Sequence, residues 1–572
     1  MLHAFPRCTR LGWQPKFTRG ISGFLHPQRL PQRIPLFTPR PRSDAPLPND
    51  AAEKRPQWSS VIQTIIRIRL LLKRGKDEEA IENFQSCNAK IPSGHEGRIF
   101  RFALYERGIT TFLSHKRFKR ALELHQEMSS RGLYESSGLR ARMLVCSSIV
   151  KTPQEQQQTL ETLFDELSPI ITLPSYSQRS LRELLVVMKS HPLIESLFIS
   201  KLVDRHLDSR GSMYKLELNT VNKLVLFYMH VGNPDAAERL VVSHEDPSPL
   251  RRNPGPYTTL ISSHVKRGTL SYTRLNYLLD KMKKSQIPAD LPFLNVLIQW
   301  AVRNGNIHQA FSLYETILRD NASHMIPDSY VFGSLFNAHQ SVLSRSPSIR
   351  RSRLPPNAPM PRQLFRQMLE CQVLAVEAAD PRTQRVVRVE TLNVALRLFM
   401  LSMDYPAAFV TLRTFYGLGL RPDVRSYRFV LTILLGQIRH SLQKAEKVRW
   451  SRLAGWADNF LGGGHAAAQA AGAQQQPEVA SALLEFAGGG NTGYRTPTIA
   501  AILGDEEPPE KAEWDVEPLE RLVAKAILAS LVPKGVSREQ AERALREKMA
   551  PYFLEMVPPK LSIGRRLRRA RY

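Results

Sequence analysis

Val389–Asp423 reads VETLNVALRLFMLSMDYPAAFVTLRTFYGLGLRPD, and the spacing within it decides the fold. Apolar side chains recur every three or four residues from Thr391 to Ser402 and again from Tyr405 to Tyr416, the period of two amphipathic helices. Gly417-Leu418-Gly419 and the closing Arg421-Pro422-Asp423 stop the second helix. Ala408 stands in the middle of that helix, where only a small side chain lets two crossing backbones approach closely. The stretch is a helical hairpin of 35 residues.

Working outward, the hairpin recurs. Ala103–Ser136 contains RFKRALELHQEMSSRGLYES, with Ala121 at the small position and Glu135-Ser136 in place of Pro-Asp. Pro254–Asp290 opens with GPYTTLISSHVKRGTL and ends Ile287-Pro288-Ala289-Asp290. Leu291–Asp328 carries LNVLIQWAVRNGNIHQAFSLYETIL and ends Ile326-Pro327-Asp328. Leu218–Leu240 has both helices and no such ending. Weaker copies lie near Val61–His95, Ser329–Val373 and Val424–Phe460, the middle one split by an insertion at Gln340–Arg362. Residues 137–217 have a helical pattern that does not fall into phase. A self-similar unit of this length is the mark of a solenoid of stacked hairpins.

The endings and the small mid-helix residue resemble the pentatricopeptide repeat (PPR) family, of the organellar type with degenerate repeats. The resemblance implies an all-α fold, a right-handed superhelical α-solenoid whose first helices line a concave face that binds single-stranded RNA, about one base per repeat. An early residue of the first helix and the last residue of the unit would touch the base edge together. The pairs carried over are Thr258 with Asp290, Asn295 with Asp328, and Asn393 with Asp423. By the family's code the first looks like a guanine reader and the other two like uracil readers. Asn222 holds the early position of its unit without an identifiable partner, while Glu106 and Arg428 match no reader. Asp290, Asp328 and Asp423 are equally suited to N-capping the helix that follows, and both roles remain open. Tyr257, Phe293, Tyr314 and Phe409, at helical spacing, read as core.

Charge adds a second layer. The chain of 572 residues has a formal net charge of +28. Residues 1–43 hold eight cations from Arg7 to Arg42 and no acid, interleaved with Phe5, Trp13, Phe17 and Phe24. That is the pattern of a mitochondrial transit peptide, and it predicts a disordered N-terminus and a matrix location. The insertion contributes Arg350, Arg351 and Arg353, and the C-terminal tail contributes Arg565, Arg566, Arg568 and Arg569, all suited to phosphate contacts. Residues 44–60 read as a linker, 61–136 as N-terminal repeats and 218–460 as the main array. Residues 461–513 read as a low-complexity linker, and 514–572 as C-terminal helices with a basic tail.

Other classes fall away. Four cysteines with no CxxC spacing support neither a disulfide scaffold nor a zinc centre. No phosphate-cradling loop, HExxH or GxSxG is present, so the expectation is a non-enzyme without cofactor or metal. No uncharged apolar run is long enough to span a membrane. The function expected is sequence-selective binding of mitochondrial messenger or ribosomal RNA, acting on stability, processing or translation, with the mitoribosome as a further partner. The rival is a protein–protein scaffold that holds a polypeptide in its groove.

Overall fold

The computed structural model describes residues 50–211, 214–243, 253–319, 325–343, 354–377, 386–447, 452–461, 483, 494–503, 514–531 and 537–561. Every regular element among them is a helix. The chain divides into two compact units, Met1–Ala289 and Asp290–Tyr572.

Among its described residues the first unit holds six hairpins. They are α1 (Asp50–Lys73) with α2 (Asp77–Lys90), α3 (His95–Ser114) with α4 (Phe118–Ser130), and α5 (Ser137–Val150) with α6 (Pro153–Thr172). Then come α7 (Gln178–Met188) with α8 (Ser196–Asp208), α9 (Leu218–His230) with α10 (Pro234–Ser243), and α11 (Gly255–Arg267) with α12 (Tyr272–Lys284). The span 137–217, out of phase in the sequence, is therefore two further hairpins. Their first helices start on serine caps, Ser136 receiving Leu139 N–H and Ser177 receiving Ser180 N–H, instead of Pro-Asp. Helix α1 begins at Asp50, inside the span read as linker, because Ala51-Ala52-Glu53-Lys54 are strong helix formers.

The second unit opens with α13 (Leu291–Arg303) and α14 (Ile307–Arg319), followed by α15 (Ser329–Leu343) and α16 (Pro361–Glu377). The hairpin quoted first is α17 (Val389–Leu401) with α18 (Tyr405–Gly417), and α19 (Val424–Lys447) with α20 (Arg452–Leu461) follows. A short α21 (Ile499–Leu503), α22 (Glu517–Leu531) and α23 (Arg538–Met556) complete it. The insertion is narrower than expected. Helix α15 runs on through Leu343, since Gln340 Nε2 donates to Val394 O at 2.8 Å and ties that last turn to α17.

The phase of the repeats is written in their turns. Gly305 takes φ +70°, with Gly305 N–H bonded to Val302 O and Asn306 N–H to Ala301 O, a Schellman closure that ends α13 and aims α14 back along it. The same pair of bonds closes α3 at Lys116 and α17 at Met403, where non-glycine residues hold positive φ. Four residues past each helix cap, Ala80, Ala121, Ala237, Ala310 and Ala408 are all 0 % exposed, so the small position of the sequence is the tight crossing point of the hairpins. A first helix packs on its partner and on the first helix of the next hairpin, as α9 does on α10 and α11, and α17 on α18 and α19.

Helices α22 and α23 pack on α18, the second helix of its hairpin. Arg413 of α18 pairs with Glu520 of α22 at 3.0 Å, both nearly buried. Burial outweighs the attraction of Arg413 and pushes the Glu520 carboxyl up to about 7. Arg362 of α16 pairs with Asp404 at 2.7 Å and Glu555 at 3.2 Å, pinning α23 against both hairpins.

Candidate nucleic-acid interface

The early positions of the first helices share one register. Asn222, Thr258, Asn295 and Asn393 each stand two residues ahead of a buried pair: Leu224–Val225, Leu260–Ile261, Leu297–Ile298 and Ala395–Leu396. Burial of the pair fixes the rotation of the helix, and the rotation sets the early residue at the same position on each helix.

Two of the three predicted pairs are brought together. Asn295 Nδ2 donates to Asp328 Oδ2 at 2.9 Å, and Asn393 Nδ2 donates to Asp423 Oδ1 at 2.8 Å. The aspartates cap at the same time. Asp328 Oδ1 accepts from Tyr330 N and Val331 N, and Asp423 Oδ1 accepts from Ser426 N at 3.0 Å. Capping and pairing thus coexist in one carboxylate. Thr258 and Asp290 belong to different units, and each serves its own helix. Thr258 Oγ1 donates to Pro254 O at 3.0 Å, and Asp290 Oδ1 accepts from Phe293 N at 2.9 Å.

The two joined pairs differ. Asn295 is half-buried, and its Oδ1 is enclosed without a hydrogen-bond partner, an arrangement that costs on the order of 1–3 kcal/mol until a donor reaches it. Beside it, Tyr330 is 64 % exposed, with the Arg388 guanidinium over its ring at 5.6 Å. Gly333, the early position of α15, has nothing within 4 Å of where a Cβ would stand. Asn393, by contrast, is 3 % exposed, and its Oδ1 accepts from Ser426 Oγ. Its amide is thus satisfied from both ends inside the protein.

Three early positions of the first unit, Glu106, Arg142 and Arg182, are charged. Ser136 Oγ donates to Glu106 Oε1 at 2.6 Å, so the unmatched Glu106 does meet the last residue of its unit. Arg142, 2 % exposed, bonds Thr110 Oγ1 at 2.7 Å and pairs with Glu183. Arg182 pairs with Glu217 and donates to Thr220 Oγ1 at 3.1 Å. Asn222 accepts from Thr259 Oγ1 at 3.4 Å, and Asn253, bonded to Gly255 N, takes the place of its missing aspartate. At the hairpin turns Lys116, Lys189 and Arg267 surround His230, whose imidazole is held below its ordinary range first by burial and then by these cations.

Tyr330, Gly333 and Arg142 escaped the sequence reading. An exposed tyrosine and a core tyrosine look alike in a periodic pattern, whereas Tyr257, Phe293, Tyr314 and Phe409 are buried as expected. Arg350, Arg351, Arg353, Arg565, Arg566, Arg568, Arg569 and the segment 1–43 lie outside the described residues. Among the described residues no cluster of His, Cys, Asp and Glu is arranged to hold a metal ion, and no helix is long and apolar enough to cross a membrane.

Residues 293–321 match the model of the PPR repeat. That match falls on α13 and α14, two hairpins before the copy with the cleanest ending. No curated protein matches the chain. Among solved structures the chain is similar to the pentatricopeptide repeat protein PPR10 from maize, at 14 % identity and a TM-score of 0.34, covering 89 % of this chain and 86 % of that one. It is also similar to PPR10 in complex with an 18-nt psaJ RNA element, at 13 % identity and a TM-score of 0.25, covering 85 % and 82 %.

Proposed function

We propose that this chain, whose residues 293–321 match the model of the PPR repeat, binds single-stranded RNA sequence-selectively and acts on organellar transcripts without making or breaking bonds. The observation that carries the reading is the Asn295–Asp328 pair, set at a shared register position, with the exposed Tyr330 two residues after Asp328 and the bare Gly333 at the next early position. An amide and a carboxylate side by side offer a donor and acceptors to a base edge, and a tyrosine face beside them offers a stacking platform. Bound RNA would be shielded from nucleases or held open for processing or translation. The Arg-rich, acid-free first 43 residues support a mitochondrial location, with messenger or ribosomal RNA as the target.

Crosslinking followed by sequencing of RNA from mitochondria tests this directly. Reproducible enrichment of a few transcripts is the expected result, and an unenriched profile refutes it. With the purified full chain, Asn295→Ala should reduce discrimination at one base by about fivefold to 100-fold, the worth of a good edge contact of roughly 1–3 kcal/mol. The ion-paired positions Glu106, Arg142 and Glu183 favour the scaffold reading for the first unit, because they already satisfy one another. A polypeptide partner retained by that unit alone, with RNA absent, would support it.

A further inference from the structure

Four first helices of the second unit present an early position in register: Asn295, Gly333, Asn393 and Arg428. Arg428 precedes the buried Val430–Leu431 just as Asn295 precedes Leu297–Ile298. The first two positions are open, and the chain itself holds the last two. Arg428 Nε donates to Ile502 O at 2.7 Å and Nη2 to Ala501 O at 3.0 Å, both carbonyls belonging to α21. That helix lies in the span read as a low-complexity linker, and Thr498 Oγ1 caps it by accepting from Ala501 N. Ala501 and Ile502 are 4 % and 1 % exposed, so the contact is a packed one.

A second strip of chain closes the same edge. Trp514 N donates to Pro422 O at 3.3 Å, directly beside Asp423. Tyr427 Oη, one residue before Arg428, donates to Asp515 O. The two strips are clipped together. Asp515 N donates to Arg495 O at 3.0 Å, and Arg495 N returns a bond to Asp515 Oδ2 at 2.8 Å. Asn393, one hairpin earlier, is sealed by Ser426 from the same helix α19 that the strips lie on. A base arriving at either position would have to displace satisfied hydrogen bonds, each on the order of 1 kcal/mol, and gain no unpaired partner in return.

We infer that the base-reading run of the second unit ends at Gly333: Ser426 seals Asn393, and residues 494–503 with 514–516 form a built-in stop that removes Arg428, the next position, from recognition. The unit then selects one base at Asn295–Asp328 and accepts any base at Gly333, where no side chain can discriminate. This inference rests on the RNA-binding reading above. It assigns the C-terminal region the role of setting where recognition ceases.

The test is selection from a pool of randomised 12-nucleotide RNAs by the full chain, for the wild type and the variants Asn295→Ala, Asn393→Ser and Arg428→Ala. Asn295→Ala should lower selectivity at one position by about fivefold or more. Asn393→Ser and Arg428→Ala should leave the selectivity of every position within about twofold of the wild type, whatever they do to overall affinity. Loss of selection at a separate position in either of the latter two overturns the inference while leaving RNA reading intact. A wild-type chain that selects nothing overturns the RNA reading, and the stop with it. Asn393→Ser keeps a small polar side chain at the sealed site, so a general loss of folding, visible by circular dichroism, is distinguishable from a change in preference.

Discussion

His339 makes the second unit sensitive to acid. It lies in α15, 4 % exposed, with Nε2 at 3.1 Å from Pro359 O and its ring edge-on to Phe311 at 5.2 Å. Burial pushes the imidazole down to about 4, against an ordinary value of 6.5. In the unfolded chain the ring takes a proton as pH falls through 6.5, and in the fold it resists until about 4. The unfolded state therefore binds more protons throughout that window, and stability is lost as pH drops across it. A depression of that size corresponds to about 3 kcal/mol. His339→Gln keeps a donor for Pro359 O and cannot titrate in this range. Amide hydrogen exchange in α15, measured from pH 7 to pH 4 and corrected for intrinsic rates, reports the local opening free energy without assuming that the whole chain unfolds at once. The wild type should lose up to about 3 kcal/mol of α15 protection that the variant retains. Equal slopes for the two would refute the argument and place the acid response elsewhere.

Other outcomes follow from the same geometry. Ala408→Leu drives a larger side chain into the α17–α18 crossing and should destabilise the second unit by about 1–3 kcal/mol, read as a lower denaturation midpoint. Met403→Gly relieves a φ of +57° at an exposed turn and should raise that midpoint by roughly 1 kcal/mol. Asp328→Ser keeps a cap for α15 and removes the partner of Asn295, so helicity should persist while selectivity falls; Asp328→Ala should lose about 1 kcal/mol of stability as well.

The hairpins with Pro-Asp endings were legible because each ending stops a helix and starts the next with a capping carboxylate. The span 137–217 was not, since Ser136 and Ser177 do the capping there and the early position is a buried arginine, Arg142. Nothing local marks that arginine as ion-paired, because Glu183 reaches it from the next hairpin. The Asn295–Asp328 and Asn393–Asp423 pairs were equally visible in sequence. What separates them is contact from elsewhere in the fold: Ser426 fills the second amide, and residues 494–503 and 514–516 close the ground beside it. Residue type at a repeat position is local information, and accessibility is not.

The long connection between α15 and α16, residues 344–360, stands where α3 and α17 have a tight Schellman turn. Its far end is anchored by Pro359 O on His339 and by Met360 N on Gln363 Oε1. Closure entropy grows only with the logarithm of loop length, so a connection several times longer than a tight turn costs about 1–2 kcal/mol more. On either side of it, α15 packs on α16 and on α17. Sequence added at this point leaves the register of the helices on either side undisturbed.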